Sequence, residues 1–289
     1  MTIPAFCIRF FWFIVCVSLA FVPTYMLLDT VQNSKDPQNS VFIWGDSQTF
    51  RGIDLAELGN LTGKQVYTAA RHGASVYDFL RFSEAIPQNA TAIVALSRTV
   101  QVRRKHRDQN LSGLSFRSLF ALGQANFNLR EILRIIKNNI KPKNLFATNT
   151  KLYENKKDVI DDKSIKVFQR IYSKVPHYLA DKQWLYMQGI NNLLKKNIEV
   201  TFVEFPFHPL LESIERGSVI KPLTDQFQDQ VIRRFPDHNL NSVSLGTADN
   251  LMYDLTHLNS RGATLVARHL AENLIQARPK GLILFKTDS

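Results

Sequence analysis

The sequence predicts an α/β protein with a parallel sheet that is covered by helices on both faces. Short apolar runs of strand length, at 41–44, 92–96 and 199–205, alternate with segments whose apolar residues recur at helical spacing. Runs that are apolar throughout are typical of strands buried on both faces, as in a three-layer sandwich. The chain has 289 residues and 45% hydrophobic content, which is enough for one sizeable α/β domain.

Seven segments carry the clearest patterns. We predict strands at 41–44, 64–68, 92–96 and 199–205, and helices at 74–86, 178–196 and 260–276. Gly45 and Pro206 end the first and fourth strands, because neither residue continues a strand easily. The last helix has Asn259 or Ser260 as its N-cap, and its apolar face is expected to comprise Leu265, Val266, His269, Leu270 and Leu274.

The stretch between the third and fourth strands is about 100 residues long, which is too long for a simple crossover. We predict a helical insertion over about 101–198, with helices near 115–139 and 178–196 and an amphipathic pattern at 126–140. From Arg98 to Lys157 there are 14 Lys or Arg and 3 acidic residues, an excess of 11 that equals the net charge of the whole chain. We therefore expect an anionic partner, such as lipid headgroups, an acidic glycan, a teichoic-acid-like polymer or nucleic acid.

The N-terminal segment predicts a membrane anchor. Residues 10–28 carry no charge, and as a helix they would be about 28 Å long, close to the hydrocarbon thickness of a bilayer. The basic residue of the tail at 1–9 favours a cytoplasmic N terminus, so a linker at 29–40 would lead to a domain, 41–289, outside the cytoplasm. The alternatives are a signal peptide cleaved near Ser18-Leu19-Ala20 and a buried core helix.

A serine follows the first strand directly, in the sequence Gly45-Asp46-Ser47. Ligands bind at the carboxyl ends of the strands in open α/β sheets, so Ser47 is well placed to act as a nucleophile. The alternative is that Ser47 only caps the next helix or turn. Cys7 and Cys16 both lie in or beside the N-terminal apolar segment, so the globular part has no thiol nucleophile.

A second motif, Asp254-Leu255-Thr256-His257, lies immediately before the last predicted helix. A serine hydroxyl needs a base to remove its proton, and the base needs an acceptor that orients it. An Asp and a His three residues apart in one loop can supply both functions. No further His, Cys or carboxylate cluster predicts a metal site, and this chemistry requires no cofactor.

Together, the two motifs resemble the layout of the SGNH/GDSL hydrolases. The resemblance covers the globular part through its first three strands and the Asp-x-x-His motif, and it implies a flavodoxin-like sheet. It implies that Ser47 is the nucleophile, His257 the general base and Asp254 its orienting partner, with a structural role for Asp46. It also implies that the backbone N–H groups of Ser47 and Gly73 donate to the oxyanion.

One block of the family pattern is missing. The family usually has Gly-x-Asn-Asp after the third strand, with the Asn as a third oxyanion donor, whereas residues 95–99 read Ala-Leu-Ser-Arg-Thr. Removing one such donor costs about 2.7–4 kcal/mol of transition-state stabilisation. Either Ser97 or Arg98 substitutes, or the site works with two donors, or the site is not catalytic. In this respect the chain is similar to membrane-anchored relatives such as polysaccharide O-acetyltransferase subunits and the D-alanyl-lipoteichoic acid transfer protein.

Further candidate substrate-binding residues surround these motifs. A basic run after the third strand predicts either a solvated loop or a rim that attracts an anionic polymer, and it comprises Arg103, Arg104, Lys105 and Arg107. His208 follows the fourth strand and His72 precedes Gly73, so each is a candidate pocket residue. The alternative for both histidines is a packed side chain without substrate contact.

Two functions of different classes follow from these patterns. The first is a membrane-anchored serine acyl-enzyme, an O-acyltransferase or O-acyl esterase, that takes an acyl donor and acts on an anionic envelope polysaccharide or lipid-linked polymer. The second is a non-catalytic module of the same fold that binds a glycan or a membrane-bound acyltransferase. A third interpretation is an unrelated α/β protein with chance motifs. Nucleic acid is not the expected partner, because no aromatic residues are interleaved with the basic run for base stacking.

Overall fold

The computed structural model describes residues 36–102, 145–150, 152–153, 162–176, 179–235, 239–276 and 281–288. The strands are β1 (Ser40–Trp44), β2 (Gln65–Thr68), β3 (Thr91–Ala95), β4 (Glu199–Glu204), β5 (Asn239–Thr247) and β6 (Gly281–Asp288). The helices are α1 (Ser47–Gly52), α2 (Leu55–Thr62), α3 (Val76–Ala85), α4 (Arg98–Val102), α5 (Asp162–Tyr172), α6 (Leu179–Lys195), α7 (Pro209–Arg216), α8 (Lys221–Ile232), α9 (Ala248–Leu251) and α10 (Ser260–Ile275). The predicted α/β class is confirmed.

The strands form one parallel sheet in the order β2-β1-β3-β4-β6-β5. All four predicted strands are present, and each boundary agrees within one residue. Strands β5 and β6 were not predicted. In β5 polar residues alternate with Leu and Val, and Leu240 is 63% exposed, as expected for a strand at the sheet edge. After β1 the chain forms β2 on one side of β1, and β3 then pairs with β1 on the other side. Where the strand order reverses in this way, a crevice is expected between the carboxyl ends of the two strands, here β1 and β3.

Two hydrophobic cores cover the two faces of the sheet. One face is packed against α3, α6 and α8, with Trp44, Phe79 and Tyr186 buried at its centre. The other face is packed against α2, α9 and α10, with Ile43 and Val266 among its buried residues. Because strand residues alternate between faces, neighbouring residues of β1 contribute to different cores. Helices on both faces of one parallel sheet give three layers.

Part of the predicted insertion at about 101–198 is a layer of the fold itself. Helix α6, predicted as 178–196, packs along α3, and the Tyr186 hydroxyl donates to the Ala95 carbonyl over 2.6 Å. The approach is close enough that a Cβ on Gly189 would lie 2.6 Å from the Phe79 ring. This part of the insertion is therefore the helix that covers β3 and β4. The predicted helical patterns at 115–139 and 126–140 lie outside the described residues.

Capping explains where the helices α3 and α10 begin. The Asn259 side chain accepts from Gly262 N over 3.0 Å, which confirms Asn259 as the N-cap of α10. Its buried face is shifted toward Ala263 and Ala267, so His269 lies at the margin and is 36% exposed. Helix α3 begins with a capping box between Ser75 and Asp78.

The predicted tail (1–9), anchor (10–28) and most of the linker (29–40) lie outside the described residues, as do both cysteines. Within the described ranges, no helix combines the length and the apolar character needed to cross a bilayer.

Candidate active site

Asp46 joins the ends of two strands at the crevice between β1 and β3. Its Oδ1 accepts from Gln48 N over 3.0 Å, which makes Asp46 the N-cap of α1. Its Oδ2 accepts from Ser97 Oγ over 2.8 Å and from Thr99 Oγ1 over 2.5 Å. The carboxylate is thus buried with three hydrogen bonds from the segments that follow β1 and β3. Asp46 is therefore the N-cap, and Ser47 is the first residue of the helix rather than its cap.

The turn that carries Ser47 requires a glycine at its first position. A Cβ on Gly45 would lie 1.8 Å from Thr49 Oγ1. Only a residue without a side chain lets α1 turn back so closely over the end of β1. The turn holds Ser47 beside the carboxyl ends of the strands, with 6% of the residue exposed.

Asp254 and His257 form a hydrogen-bonded pair within one tight loop. Met252 and Leu258 form an antiparallel bridge that closes the loop. The distances from His257 Nδ1 to Asp254 Oδ1 and Oδ2 are 3.0 and 2.9 Å. Because the carboxylate can only accept, Nδ1 carries the proton and Nε2 presents its lone pair. This is the tautomer that a general base requires.

The loop also stabilises the charged form of Asp254. Its Oδ1 accepts from the backbone N–H groups of Thr256 and His257, over 2.8 and 2.9 Å. Burial alone would raise the pKa of Asp254, but the hydrogen bonds and the charge of His257 outweigh burial and lower the pKa to about 2. Asp254 is therefore a carboxylate at any pH near neutrality.

The two motifs meet through the residues that flank them. Gln48 Nε2 donates to the Thr256 carbonyl over 3.0 Å, which ties the residue after Ser47 to the residue before His257. Among the described residues, His257 Nε2 is buried without a hydrogen-bond partner. The direct hydrogen bond between Ser47 Oγ and His257 Nε2 is thus not formed in this structure. Catalytic hydrogen bonds are often long in ligand-free sites and shorten when substrate binds.

Three residues outside the two motifs lie beside the motif residues. Arg51 lies one helical turn after Ser47, and its Nε donates to His72 Nε2 over 3.1 Å. The His72 ring is 6.4 Å from the His257 ring, centroid to centroid. Tyr153 comes from the predicted insertion and contacts His257 edge-on at 5.9 Å. The four-residue spacing from Ser47 could have identified Arg51, whereas no sequence signal marks Tyr153.

Gly73, the expected second oxyanion donor, lies in the exposed turn after β2. Its φ is +68°, a conformation that favours glycine. Ala74 N donates to the Arg71 carbonyl over 3.2 Å across this turn, and Arg71 N donates to the Gly45 carbonyl over 3.3 Å. These bonds hold the turn against the end of β1, on the side where Ser47 begins its helix.

The structure assigns Ser97 and Arg98 to other roles than oxyanion binding. Ser97 Oγ donates to Asp46. The Arg98 guanidinium contacts three carboxylates, at 2.9 Å from Glu204, 2.6 Å from Glu215 and 3.1 Å from Asp225. Both side chains are committed to structural contacts, so we no longer expect either to replace the missing Asn.

The remaining candidates are placed as follows. The His208 ring caps α7, because its Nδ1 accepts from Leu210 N over 3.3 Å, and its backbone N–H donates to the Leu255 carbonyl over 3.0 Å. His208 therefore supports the loop of Asp254 and His257 from the end of β4. The basic run, which comprises Arg103, Arg104, Lys105 and Arg107, lies outside the described residues. Within the described ranges, no group of three or more His, Cys, Asp or Glu side chains could hold a metal ion.

A comparison with protein-family models and with curated proteins found no match for this chain.

Proposed function

We propose that the chain is a membrane-anchored serine acyl-enzyme of the SGNH type, an O-acyltransferase or O-acyl esterase with Ser47, His257 and Asp254 as its catalytic residues. The observation that carries the proposal is the hydrogen-bonded pair of Asp254 and His257. The lone pair on His257 Nε2 is buried and has no partner among the described residues. Gln48 ties this loop to the helix that begins at Ser47.

The proposed reaction proceeds in two steps. Ser47 Oγ attacks the carbonyl carbon of an ester, and its proton passes to His257 Nε2. The ester C–O bond breaks, and the imidazolium returns that proton to the leaving alkoxide. Water or a sugar hydroxyl then attacks the acyl carbon while His257 Nε2 takes its proton. The bond between the acyl carbon and Ser47 Oγ breaks, and the imidazolium returns the proton to Ser47 Oγ. The backbone N–H groups of Ser47 and Gly73 are the expected oxyanion donors, since the Ser97 hydroxyl donates to Asp46 and the Arg98 guanidinium pairs with three carboxylates.

The substrate class follows from the sequence. The apolar segment at 10–28 would hold the domain at a membrane, outside the cytoplasm, and the local basic excess favours an anionic partner. An envelope polysaccharide or a lipid-linked polymer meets both conditions. A membrane-bound acyltransferase is the expected supplier of acyl groups if the reaction is a transfer.

A second candidate function is a non-catalytic module that binds a glycan or a membrane-bound acyltransferase. One observation favours it: the hydrogen bond between Ser47 Oγ and His257 Nε2 is not formed. The missing third-block Asn points the same way.

Active-site labelling decides between the two functions. The full chain in a nonionic detergent is treated with a fluorophosphonate probe and with p-nitrophenyl acetate, beside Ser47→Ala and His257→Ala. The matched controls are Ser213→Ala and His269→Ala, which remove an exposed serine and a partly exposed histidine of α7 and α10. The acyl-enzyme predicts labelling and turnover that both site variants abolish and both controls retain. A folded wild-type chain that is neither labelled nor active is a binding module instead.

A further inference from the structure

Arg51 is the centre of a small cluster beside the proposed catalytic residues. We define the Arg51 cluster as Arg51, His72 and Tyr153. The guanidinium carbon lies 4.2 Å from the centroid of the Tyr153 ring and 5.1 Å from that of Phe50. Its Nε donates to His72 Nε2 over 3.1 Å. The guanidinium is therefore held by two aromatic faces and one imidazole.

Arg51 differs from other arginines in its lack of a carboxylate partner among the described residues. There, no Asp or Glu forms an ion pair with Arg51, whereas Arg71, Arg98, Arg216 and Arg268 each have at least one. Moreover, Arg51 Nη1 is shielded from water and has no hydrogen-bond partner in the described part of the chain. Aromatic faces attract a cation but offer no lone pair comparable to that of an oxygen acceptor. A guanidinium without a carboxylate partner attracts an oxyanion through its charge and through charge-assisted hydrogen bonds.

Tyr153 is held in the cluster from both sides. Its ring stacks on that of Tyr253, with centroids 3.7 Å apart and planes 9° apart. Its carbonyl accepts from Ser260 N over 2.7 Å, at the start of α10. The segment before it is fixed to the sheet edge, because Thr68 and Ala147 exchange backbone hydrogen bonds of 2.7 and 2.8 Å. The cluster is therefore a packed arrangement, in which Arg51 has little freedom to seek a distant partner.

The cluster lies where the substrate of the proposed reaction would be. Arg51 is on the same face of α1 as Ser47, one turn away. His72 connects Arg51 to the turn of Gly73, and both His72 and Tyr153 contact the His257 ring. A group that reaches the exposed side of His72 is thus close to both the base and the expected oxyanion donors.

We propose that the Arg51 cluster is a subsite for an oxyanion group of the substrate, a carboxylate or a phosphate, that lies next to the reacting ester. This inference rests on the proposed function, because it assigns the specificity of the same site. It implies that the acyl acceptor or donor carries its negative charge on the polymer unit that bears the ester or on the next unit. The basic excess of the insertion would act on the polymer at longer range, whereas Arg51 selects the group beside the reacting bond.

The test compares esters that differ only in charge. The probes are 4-acetoxybenzoate, 4-acetoxyphenyl phosphate and the neutral 4-acetoxybenzamide. The full chain in nonionic detergent is compared with Arg51→Gln, with Arg51→Lys and with the control Arg268→Gln, which removes an exposed arginine paired with Glu57. For each ester, the ratio of kcat/KM between wild type and variant cancels the intrinsic reactivity of that ester. In parallel, calorimetry measures the binding of benzoate, phenyl phosphate and benzamide to the Ser47→Ala chain, with and without Arg51→Gln.

We expect Arg51→Gln to lower kcat/KM for one or both anionic esters by about 10–100-fold more than for the neutral ester. The loss of kcat/KM for the anionic esters should be smaller in Arg51→Lys than in Arg51→Gln, because lysine keeps the charge without the planar guanidinium. Arg51→Lys also provides the comparison if Arg51→Gln does not fold. The control should lower all three rates equally or not at all. The more affected anionic ester identifies carboxylate or phosphate as the preferred group.

The two proposals fail in distinguishable ways. If the fluorophosphonate labels Ser47 but Arg51→Gln affects charged and neutral esters equally, the subsite is overturned and the acyl-enzyme stands. If Ser47 is inert but benzoate or phenyl phosphate binds in a manner that requires Arg51, the anion site stands and the acyl-enzyme falls. If Ser47 is inert and neither anion binds more tightly than benzamide, both are overturned.

Discussion

Among single residues, Asp254 has the contacts that most directly set the state of the proposed base. It accepts the Nδ1 proton of His257 and so leaves the lone pair on Nε2, which has no hydrogen-bond partner among the described residues. Asp254→Asn keeps the shape of the side chain but can donate to Nδ1, which favours the other tautomer. We expect kcat for p-nitrophenyl acetate to fall about 10³–10⁴-fold with little change in the fold. An Asp254→Asn chain with nearly wild-type kcat would remove Asp254 from the catalytic set.

The low pKa of Asp254 also makes a prediction about acid stability. Its pKa is lowered from 3.8 to about 2 in the folded chain. A carboxyl group whose pKa is lowered by folding stabilises the fold at pH values above its pKa in the unfolded chain. This stabilisation is lost as the pH falls from about 4 toward 2. We expect wild type to lose about 1–2 kcal/mol more than Asp254→Asn over that range, after allowance for the 29% exposure of the side chain. Urea unfolding at pH 4.5 and 2.5 measures this difference, and equal losses would contradict it.

Thr99 tests the junction between β1 and β3. Thr99→Val keeps the volume but removes one of the two hydroxyls that donate to Asp46 Oδ2. Because Asp46 is buried, we expect the free energy of unfolding to fall by about 1–3 kcal/mol. The control is Thr62→Val, where a less buried hydroxyl donates to the backbone of its own helix. Urea denaturation of both variants gives the comparison, and equal effects would deny Asp46 a special role at the junction.

At the scale of elements, helices α3 and α6 pack closely on one face of the sheet. Gly189→Ala would place a Cβ 2.6 Å from the buried Phe79 ring. We expect this overpacking to lower the free energy of unfolding by about 1–3 kcal/mol. Gly217→Ala is the control, since its Cβ would have no atom nearer than 3.8 Å. Thermal unfolding of the two variants tests the packing, and an unchanged Gly189→Ala midpoint would show that the helices can separate freely.

The ion cluster around Arg98 fastens α4, α7 and α8 to the end of β4. Within it, burial raises the pKa of Glu204 from 4.5 to about 7, against the opposing effect of Arg98. A raised carboxyl pKa stabilises the fold below the unfolded value, and that contribution is lost as the pH rises through 7. Glu204→Gln cannot ionise, so its stability should change less between pH 5 and 8.

Chemical denaturation at those two pH values tests the cluster. We expect wild type to lose about 1–3 kcal/mol more than Glu204→Gln as the pH rises. Glu215, whose pKa is also raised by burial, is present in both chains, so the difference isolates Glu204. Parallel pH profiles would show that Glu204 is already ionised at pH 5.

At the scale of the whole molecule, the predicted anchor at 10–28 would hold the proposed site at a membrane. We expect the full chain to stay in the membrane fraction after an alkaline carbonate wash, because 10–28 is apolar over a full bilayer thickness. A chain without residues 1–28 should be recovered in the wash. Mass spectrometry of the N terminus separates a retained anchor from cleavage after Ala20, and a mature chain that begins at Phe21 would overturn the anchor.

The sequence by itself determined the sheet framework and the identity of the two motifs. Strands β1 and β3 are buried along their whole length and β4 is buried at its four central residues. Their apolar residues, and the breakers Gly45 and Pro206 after β1 and β4, located them in the sequence. Helix α10 was identified because its cap and its apolar face are both local in the chain. Strand β5 escaped prediction because, at the sheet edge, it needs few apolar residues, and its partner β6 is 40 residues away in the chain.

Only the tertiary structure decided which side chains are available at the site. Ser97 and Arg98 directly follow β3 in the sequence, but Ser97 donates to Asp46 and the carboxylates of β4, α7 and α8 bind Arg98. Conversely, Tyr153 enters the site from a segment with no motif, through stacking on Tyr253. Local patterns record burial and helix ends, whereas hydrogen bonds between distant segments depend on how the chain is brought together in space. For this reason the residues of the two motifs and His72 could be named as candidates from the sequence, whereas the contacts that bring Arg51, His72 and Tyr153 together could not.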